Sequence, residues 1–129
     1  MNVLIYDYSE VPDISYQQRI RQLFGSIADA VVRFVNGFLD ATWHVHRFKP
    51  DLIVFDWIGD CKPITELVTM LHRIKPDVAM FHLEGDSFIV TADLCGLPAG
   101  HAVPQWLHNI APDWLLARTA LMVAPVALS

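Results

Sequence analysis

The sequence predicts an α/β fold, a five-stranded parallel sheet of strand order 2-1-3-4-5 with helices on both faces. Short apolar runs alternate with segments whose apolar residues recur at helical spacing. The run Leu52-Ile53-Val54-Phe55 has no polar residue, which is typical of a strand covered on both faces. The length of 129 residues suits one domain, which we place at residues 1–123, followed by a C-terminal tail at residues 124–129.

The first half of the chain has clear element boundaries. Ser15 and Gln18 have the spacing of a capping box, so a helix should begin at Ser15. The Asn36-Gly37 pair is a turn signal between a strand and the next helix. The predicted elements, in order, are a strand at Val3–Tyr6, a helix from Ser15 to Ile27, a strand at Ala30–Val35, a helix at Phe38–Arg47 and the strand at Leu52–Phe55.

The second half is less regular. Pro63 suits the first turn of a helix and Pro76 ends it. Further on, Ile89 and Val90 are poor helix formers, and Pro104 interrupts a strand pattern. The predicted elements are a helix from Pro63 to Ile74, a strand at Val78–Phe81, a helix within Ser87–Leu94, a fifth strand within Ala102–Leu107, and a last helix from Pro112 to about Met122 before a frayed tail.

Composition excludes several classes of function. Nine Lys and Arg against fourteen Asp and Glu give a net charge of −5, which argues against nucleic-acid binding. The only basic residue within 76–129 is Arg118. Cys61 and Cys95 lack metal-binding spacing and the N-terminus lacks a secretory signal, so we expect reduced thiols in a cytoplasmic protein. The uncharged stretch Leu94–Pro112 contains prolines and glycines and cannot be a membrane helix.

The strand order turns the sequence into a candidate site. Five strand–helix units in a chain of this length fit a flavodoxin-like sheet, in which the first and third strands are neighbours and ligands bind at their carboxyl ends. Asp7 follows the first strand and Asp56 ends the third, so we expect the two carboxylates to face each other. His82, just past the fourth strand, should lie beside them.

Three segments follow the pattern of a known family: NGFLDATWHVHRFKPDLIVFD (Asn36–Asp56), VLIYD (Val3–Asp7) and AGHAVPQWLHNIAPDWLLARTALM (Ala99–Met122). Together they resemble the receiver domain of response regulators in two-component signalling. The first segment looks like the receiver's second turn, second helix and third strand, which ends in the phosphoacceptor aspartate. The second is similar to the opening strand, and the third resembles, more weakly, the fifth strand and last helix.

The resemblance implies that Asp56 occupies the phosphoacceptor position. The acidic pair that holds magnesium in a receiver falls on Asp7 and Tyr8, so one carboxylate is missing. Aspartyl phosphorylation needs a divalent ion that bridges the carboxylate and the phosphoryl oxygens, and a neutral phenol cannot replace an acid. We therefore expect weak Mg²⁺ binding by Asp7 and Asp56, no other cofactor, and poor or absent phosphorylation.

Other active positions of a receiver are also replaced. The switch Thr or Ser falls on His82, and the lysine after the fifth strand falls on about Asn109. Trp57 directly follows Asp56 and would block a phosphodonor if it covered the crevice. His82 is either a structural histidine or, with Asp7 and Asp56, part of a site for zinc, manganese or iron.

The leading interpretation is a stand-alone, degenerate receiver-like signalling domain, not an enzyme, that acts through protein–protein contacts. Its expected partner is a histidine kinase or an output protein, and its 87–122 face could form a homodimer, unless Phe88, Trp114 and their apolar neighbours simply complete the core. One alternative is a phosphorelay protein that is phosphorylated on Asp56. Another is a small flavodoxin-like enzyme or ligand binder, although the acidic loop after the first strand would repel phosphate.

Overall fold

A five-stranded sheet lies between two helical layers. The computed structural model describes residues 1–7, 13–25, 27, 29–56, 62–84, 87–91 and 102–127. The elements follow in the order β1 (Asn2–Asp7), α1 (Ile14–Phe24), β2 (Val31–Val35), α2 (Phe38–Arg47), β3 (Leu52–Asp56), α3 (Lys62–Ile74), β4 (Ala79–Glu84), β5 (Ser87–Val90) and α4 (Gln105–Ala127).

The strand order is β2-β1-β3-β4-β5, which confirms the predicted order. β1 pairs in parallel with both β2 and β3, and β3 pairs in parallel with β4. β1 and β3 are continuous apolar runs buried on both faces, as parallel strands require. The direction of one strand departs from the prediction, because β5 runs antiparallel to β4.

The prediction for the segment after β4 was wrong. Ser87–Val90 is a strand instead of the start of a helix, and Glu84 pairs with Ser87 across the turn. The β-branched Ile89 and Val90 favour a strand, and a Gly-Asp pair between two apolar runs is a hairpin signal. The turn residues 85–86 themselves lie outside the described residues.

The predicted fifth strand at Ala102–Leu107 was also wrong, because this segment leads into α4. The carbonyl oxygen of Pro104 accepts hydrogen bonds from the amides of Leu107 and His108 and so begins the helix. Pro112, predicted as the first helical residue, lies inside α4, where it has no amide to donate to the preceding turn. The helix continues past Met122 to Ala127.

Helices cover both faces of the sheet, as predicted, and among the described residues there are two on each face. α1 and α4 cover one face and α2 and α3 the other. Trp114 of α4 and Phe88 of β5 are fully buried in the first layer, whereas Ala41 and Val45 of α2 are buried in the second. Among the described residues, no helix is both long and apolar enough to cross a lipid bilayer.

The N-terminus of α1 is capped by a residue that the sequence pattern did not indicate. The side chain of Asp13 accepts a hydrogen bond of 2.8 Å from the amide of Tyr16. Ser15, the predicted cap, is an exposed residue within the helix. The capping-box prediction was therefore displaced by two residues, because an aspartate is at least as good a cap as a serine.

Replacing the observed cap should destabilise the protein and replacing the predicted one should not. We expect Asp13→Ala to lower the free energy of unfolding by about 1 kcal/mol, because an amide of the first turn loses its acceptor. Ser15→Ala, the matched control, should change it by less than about 0.5 kcal/mol. Urea unfolding followed by circular dichroism measures both. A larger loss for Ser15→Ala would contradict this assignment.

Candidate functional site

The candidate site lies at the carboxyl ends of the two central strands. Asp7 and Asp56 are direct register partners in the β1–β3 pair, so the carboxylates predicted to converge come from adjacent backbone positions. Both residues are buried, and Asp56 retains only 5% of its accessible surface. Two carboxylates taken out of water at neighbouring positions need compensation, since buried charge is costly unless it is paired.

The compensation comes from α4. Trp114 Nε1 donates a hydrogen bond of 2.8 Å to Asp56 Oδ2. One helical turn later, the Arg118 guanidinium forms an ion pair with Asp56 Oδ1 through Nη2. The spacing of four residues places both side chains on the same face of the helix. Each oxygen of the Asp56 carboxylate is therefore engaged by a side chain of α4.

Trp114 is held in place by an aromatic cluster. Its ring is fully buried and meets the rings of Phe24 and Phe88 edge-on, with centroids 5.9 and 5.3 Å away. Its Nε1 also lies 3.0 Å from the Tyr16 hydroxyl oxygen, which accepts from the same N–H. This packing fixes the indole N–H against the carboxylate and links α1, β3 and α4 at one point.

Burial and charge act in opposite directions on Asp56. Burial raises the pKa of Asp56 to about 7, the hydrogen bond from Trp114 lowers it, and the nearby Asp7 carboxylate raises it further. The contacting Arg118 guanidinium favours the ionised carboxylate. Burial lowers the pKa of Arg118 to about 10, while Asp7 raises it, so Arg118 remains a cation at neutral pH. Arg118 thus supplies the positive charge that this carboxylate pair needs.

Solvent reaches the site from the side of Asp7. A pocket of about 190 Å³ opens beside that residue between the carboxyl ends of β1 and β2. Asp56 is not among its lining residues, which are Asp7, Gln17, Phe34, Val35, Asn36 and Asp40. In the described part of the chain, Asp7 therefore borders a cavity while Asp56 lies behind α4.

His82 is placed differently from the prediction. It lies within β4 instead of just past the strand, is buried, and its Nδ1 is 3.1 Å from the Thr91 hydroxyl oxygen. Among the described residues, no group of three or more His, Cys, Asp or Glu side chains is arranged to hold a metal ion. The alternative of a zinc, manganese or iron site on Asp7, Asp56 and His82 is therefore wrong.

Asn109 is not brought to the carboxylates. Expected after a fifth strand, it lies on the exposed side of α4, where it accepts a hydrogen bond of 3.0 Å from Gln105. The cause is the same as for the fold, because the segment that leads up to Asn109 is the first turn of α4 instead of a strand. Tyr8 and Trp57 lie outside the described residues, so their roles stay predictions.

The sequence analysis missed the two residues that engage Asp56. Trp114 was assigned to the core or to an interface, and Arg118 had no role. One signal was available: Arg118 is the only basic residue in an otherwise acidic and apolar segment, four residues after a tryptophan in a predicted helix. A single cation in such a helix indicates a buried acidic partner, because an unpaired buried charge is rarely tolerated.

The sheet order, the helical layers and the carboxylate pair at the strand ends define a receiver-like α/β fold. Among solved structures, the chain is similar to the RcsB response regulator of Salmonella typhimurium, in a structure described in terms of conformational dynamism for DNA interaction. The TM-score is 0.57 with 18% sequence identity. The match covers 95% of this chain and 61% of that one, so the chain spans about three fifths of the regulator's length.

At this level of identity the similarity shows the fold. No known protein family matches the sequence. No curated protein matches it either.

Removing Arg118 should produce a pH-dependent loss of stability. The folded-state pKa of Asp56 is about 7 in the wild type, and removing the Arg118 cation in Arg118→Met should raise it further. Above about pH 7 the folded variant then keeps a proton that the folded wild type and the unfolded chain have released. Stability relative to wild type therefore falls as pH rises above about 7. We expect the deficit to grow there towards about 3–5 kcal/mol and to be much smaller near pH 4.

The Asp56→Asn background provides the matched control. In that background residue 56 is neutral, so Arg118→Met breaks no ion pair with it. The effect of Arg118→Met on the free energy of unfolding should therefore be smaller and nearly independent of pH. Urea unfolding by circular dichroism at several pH values measures all four proteins. An equal deficit for Arg118→Met at pH 4 and pH 8 would show that the side chain contributes by packing alone.

Proposed function

We propose that this chain is a degenerate receiver-like signalling domain whose phosphoacceptor position is permanently neutralised from within. The observation that carries the proposal is the engagement of both Asp56 carboxylate oxygens by α4, Oδ1 by Arg118 and Oδ2 by Trp114. In this proposal the domain signals by presenting surfaces to a protein partner, and Mg²⁺-dependent phosphorylation of Asp56 is weak or absent.

Access to the carboxylate supports this proposal. Phosphoryl transfer requires the attacking oxygen, the phosphorus and the leaving oxygen to be roughly in line and within near-contact distance. Asp56 Oδ1 is taken by a guanidinium and Oδ2 by an indole N–H, and Trp114 is fully buried between aromatic rings. A phosphodonor would have to displace α4 side chains from the core before attack.

The charges present do not fit a resident magnesium ion. Mg²⁺ prefers octahedral oxygen coordination and is usually bound by carboxylates. Here Arg118 already contacts one oxygen of Asp56, and Asp13, the nearest acid on α1, caps that helix instead. At an effective dielectric near 20, a cation held about 4 Å from another repels it by roughly 4 kcal/mol per unit charge. Any Mg²⁺ binding by Asp7 and Asp56 should therefore be weak.

The partner class follows from the fold in the same proposal. A histidine kinase or an output protein is the kind of partner that receiver-like domains contact, and we propose no enzymatic activity. The homodimer through the 87–122 face stays a prediction. Two of its apolar residues, Phe88 and Trp114, are buried in the core, and Leu116 is the large apolar side chain of α4 that the described structure exposes.

One observation favours the alternative of a working phosphoacceptor. Asp7 and Asp56 are register partners, and Asp7 borders the pocket, so part of a receiver's acidic site is in place. For that function, α4 would have to release Asp56. The flavodoxin-like binder has less support, because the same pocket is lined by two aspartates, which disfavour phosphate.

Treatment with acetyl phosphate and Mg²⁺ should leave the protein unmodified. We expect no phosphoryl adduct by intact-mass spectrometry, because Asp56 is covered and already paired. Beryllofluoride with Mg²⁺ should likewise leave tryptophan fluorescence unchanged. Trp114 donates a hydrogen bond to the Asp56 carboxylate, so its fluorescence would report binding at that group.

Two controls make this result decisive. A receiver domain that accepts phosphoryl groups, treated in parallel, shows that the reagents are active. Asp56→Asn identifies the site of any modification. An adduct on the wild-type protein that Asp56→Asn lacks would overturn the proposal in favour of the phosphorelay alternative.

A further inference from the structure

Helix α2 is apolar on two sides. Its inner stripe, with Ala41 and Val45, is buried against the sheet. Its outer side carries Leu39, which is 88% exposed, and Trp43, which is 53% exposed. A surface helix normally places polar residues on the side away from the core. The outer side of α2 therefore has the composition of an interface, although no part of the described structure covers it.

These outer residues form a continuous stripe. Leu39, Trp43 and Arg47 are spaced four residues apart, which places them in one row along the helix. The Arg47 guanidinium lies 6.0 Å from the centroid of the Trp43 ring, and Phe38 is exposed beside Leu39. We call Phe38, Leu39, Trp43 and Arg47 the α2 surface. Exposed tryptophan and arginine are the residues that most often dominate binding energy in interfaces.

Basic residues border the α2 surface. Arg33 on the edge strand β2 is exposed and stacks over Phe48 at the end of α2, with 4.5 Å between its guanidinium carbon and the ring centroid. Lys49 is also exposed directly after the helix. The acid of the helix, Asp40, lies 3.2 Å from His44 Nδ1 and is partnered within α2. A chain of net charge −5 thus concentrates three cations at this end of the α2 surface.

We propose that the α2 surface docks an amphipathic, acidic helix of a protein partner. The partner's apolar side chains would pack on Leu39 and Trp43, and its carboxylates would pair with Arg33, Arg47 and Lys49. This inference rests on the proposed function only in taking the domain to act through a protein partner, and it holds whether or not Asp56 accepts a phosphoryl group.

Charge decides between this partner and a second copy of the chain. In a two-fold dimer through the α2 surface, the same patch would face itself. If the two α2 helices packed in parallel, Arg33, Arg47 and Lys49 of one copy would approach those of the other, and such like-charge contacts are unfavourable across an interface. If they packed antiparallel, the cations would meet the N-terminal end of the other α2, where the acid of the helix, Asp40, already pairs with His44. An acidic helix meets the same cations with the opposite sign.

The test uses two synthetic, helix-stapled peptides and the full chain. Both peptides carry Leu and Phe along one face, and they differ only in having Glu or Lys along the flanks. Fluorescence anisotropy should show binding of the Glu peptide at least tenfold tighter than that of the Lys peptide, and the preference should shrink as salt is raised. Trp43→Gln should weaken binding of the Glu peptide about tenfold or more.

Leu116→Gln is the matched control, because Leu116 is a 66% exposed apolar residue of α4, away from α2. It should change binding of the Glu peptide by less than about twofold, within the range of peripheral contacts. The double variant Arg47→Glu/Lys49→Glu should reverse the preference between the peptides. Glutamine and glutamate keep the helix, and circular dichroism of each variant verifies it.

Three results of the peptide-binding measurements would overturn the proposal: no binding of the Glu peptide, equal binding of both peptides, or equal sensitivity to Leu116→Gln and Trp43→Gln. Sedimentation that shows a wild-type dimer dissociated by Trp43→Gln would identify a second copy as the occupant and would also overturn it. A phosphoryl adduct on Asp56 would instead overturn the proposed function and leave the α2 surface in place.

Discussion

The ion pair between Arg118 and Asp56 is the interaction on which the arrangement of this domain depends. It joins the helix at the carboxyl end of the chain to the middle strand of the sheet, in a region where water is excluded from the carboxylate. Neither partner is tolerated alone in such a place, because a lone buried charge costs several kcal/mol. The position of α4 on the sheet therefore determines whether the Asp56 carboxylate is paired and covered.

The pair also determines what kind of site this is. A receiver that works by phosphorylation changes its charge when a metal and a phosphoryl group arrive. Here a tethered cation is present from the start, and a guanidinium does not lose its proton under physiological conditions. The site consequently keeps a positive charge at neutral pH, whether or not Asp56, whose pKa is about 7, carries a proton. Under the proposed function, regulation would therefore lie at surfaces such as the α2 surface instead of at the carboxylates.

Much of the fold could be predicted from the sequence. β1 and β3 contain continuous apolar runs, α2 has the predicted bounds, and the meeting of Asp7 with Asp56 follows from strand order alone. The region after β4 could not be predicted. Ser87–Val90 is only four residues long, which is too short for a clear pattern, and Pro104 lies at the start of a helix in a segment where a strand was expected. Local preferences there support more than one structure, and packing against Trp114 and the sheet decides.

The residues that engage Asp56 were harder to predict. Which turn of α4 reaches the carboxylate depends on where that helix begins and how it crosses the sheet, and neither is encoded near Arg118 in the sequence. The sequence could be compared with the receiver motif position by position, which located Asp56. The cation that contacts Asp56 comes from another element and corresponds to no position in that motif, so this comparison could not find it.

The order of the strands along the chain has a consequence for how the protein folds. β1 is central, and its partner β3 arrives only after the chain has passed through β2 and α2, with Val3 finally pairing with Leu52. The β4–β5 hairpin, in contrast, pairs near neighbours such as Glu84 and Ser87 and can close within about 1–10 μs. During synthesis on the ribosome, Asp56 emerges before Arg118. The carboxylate therefore has no counter-ion from Arg118 until α4 has been made and has docked on the sheet.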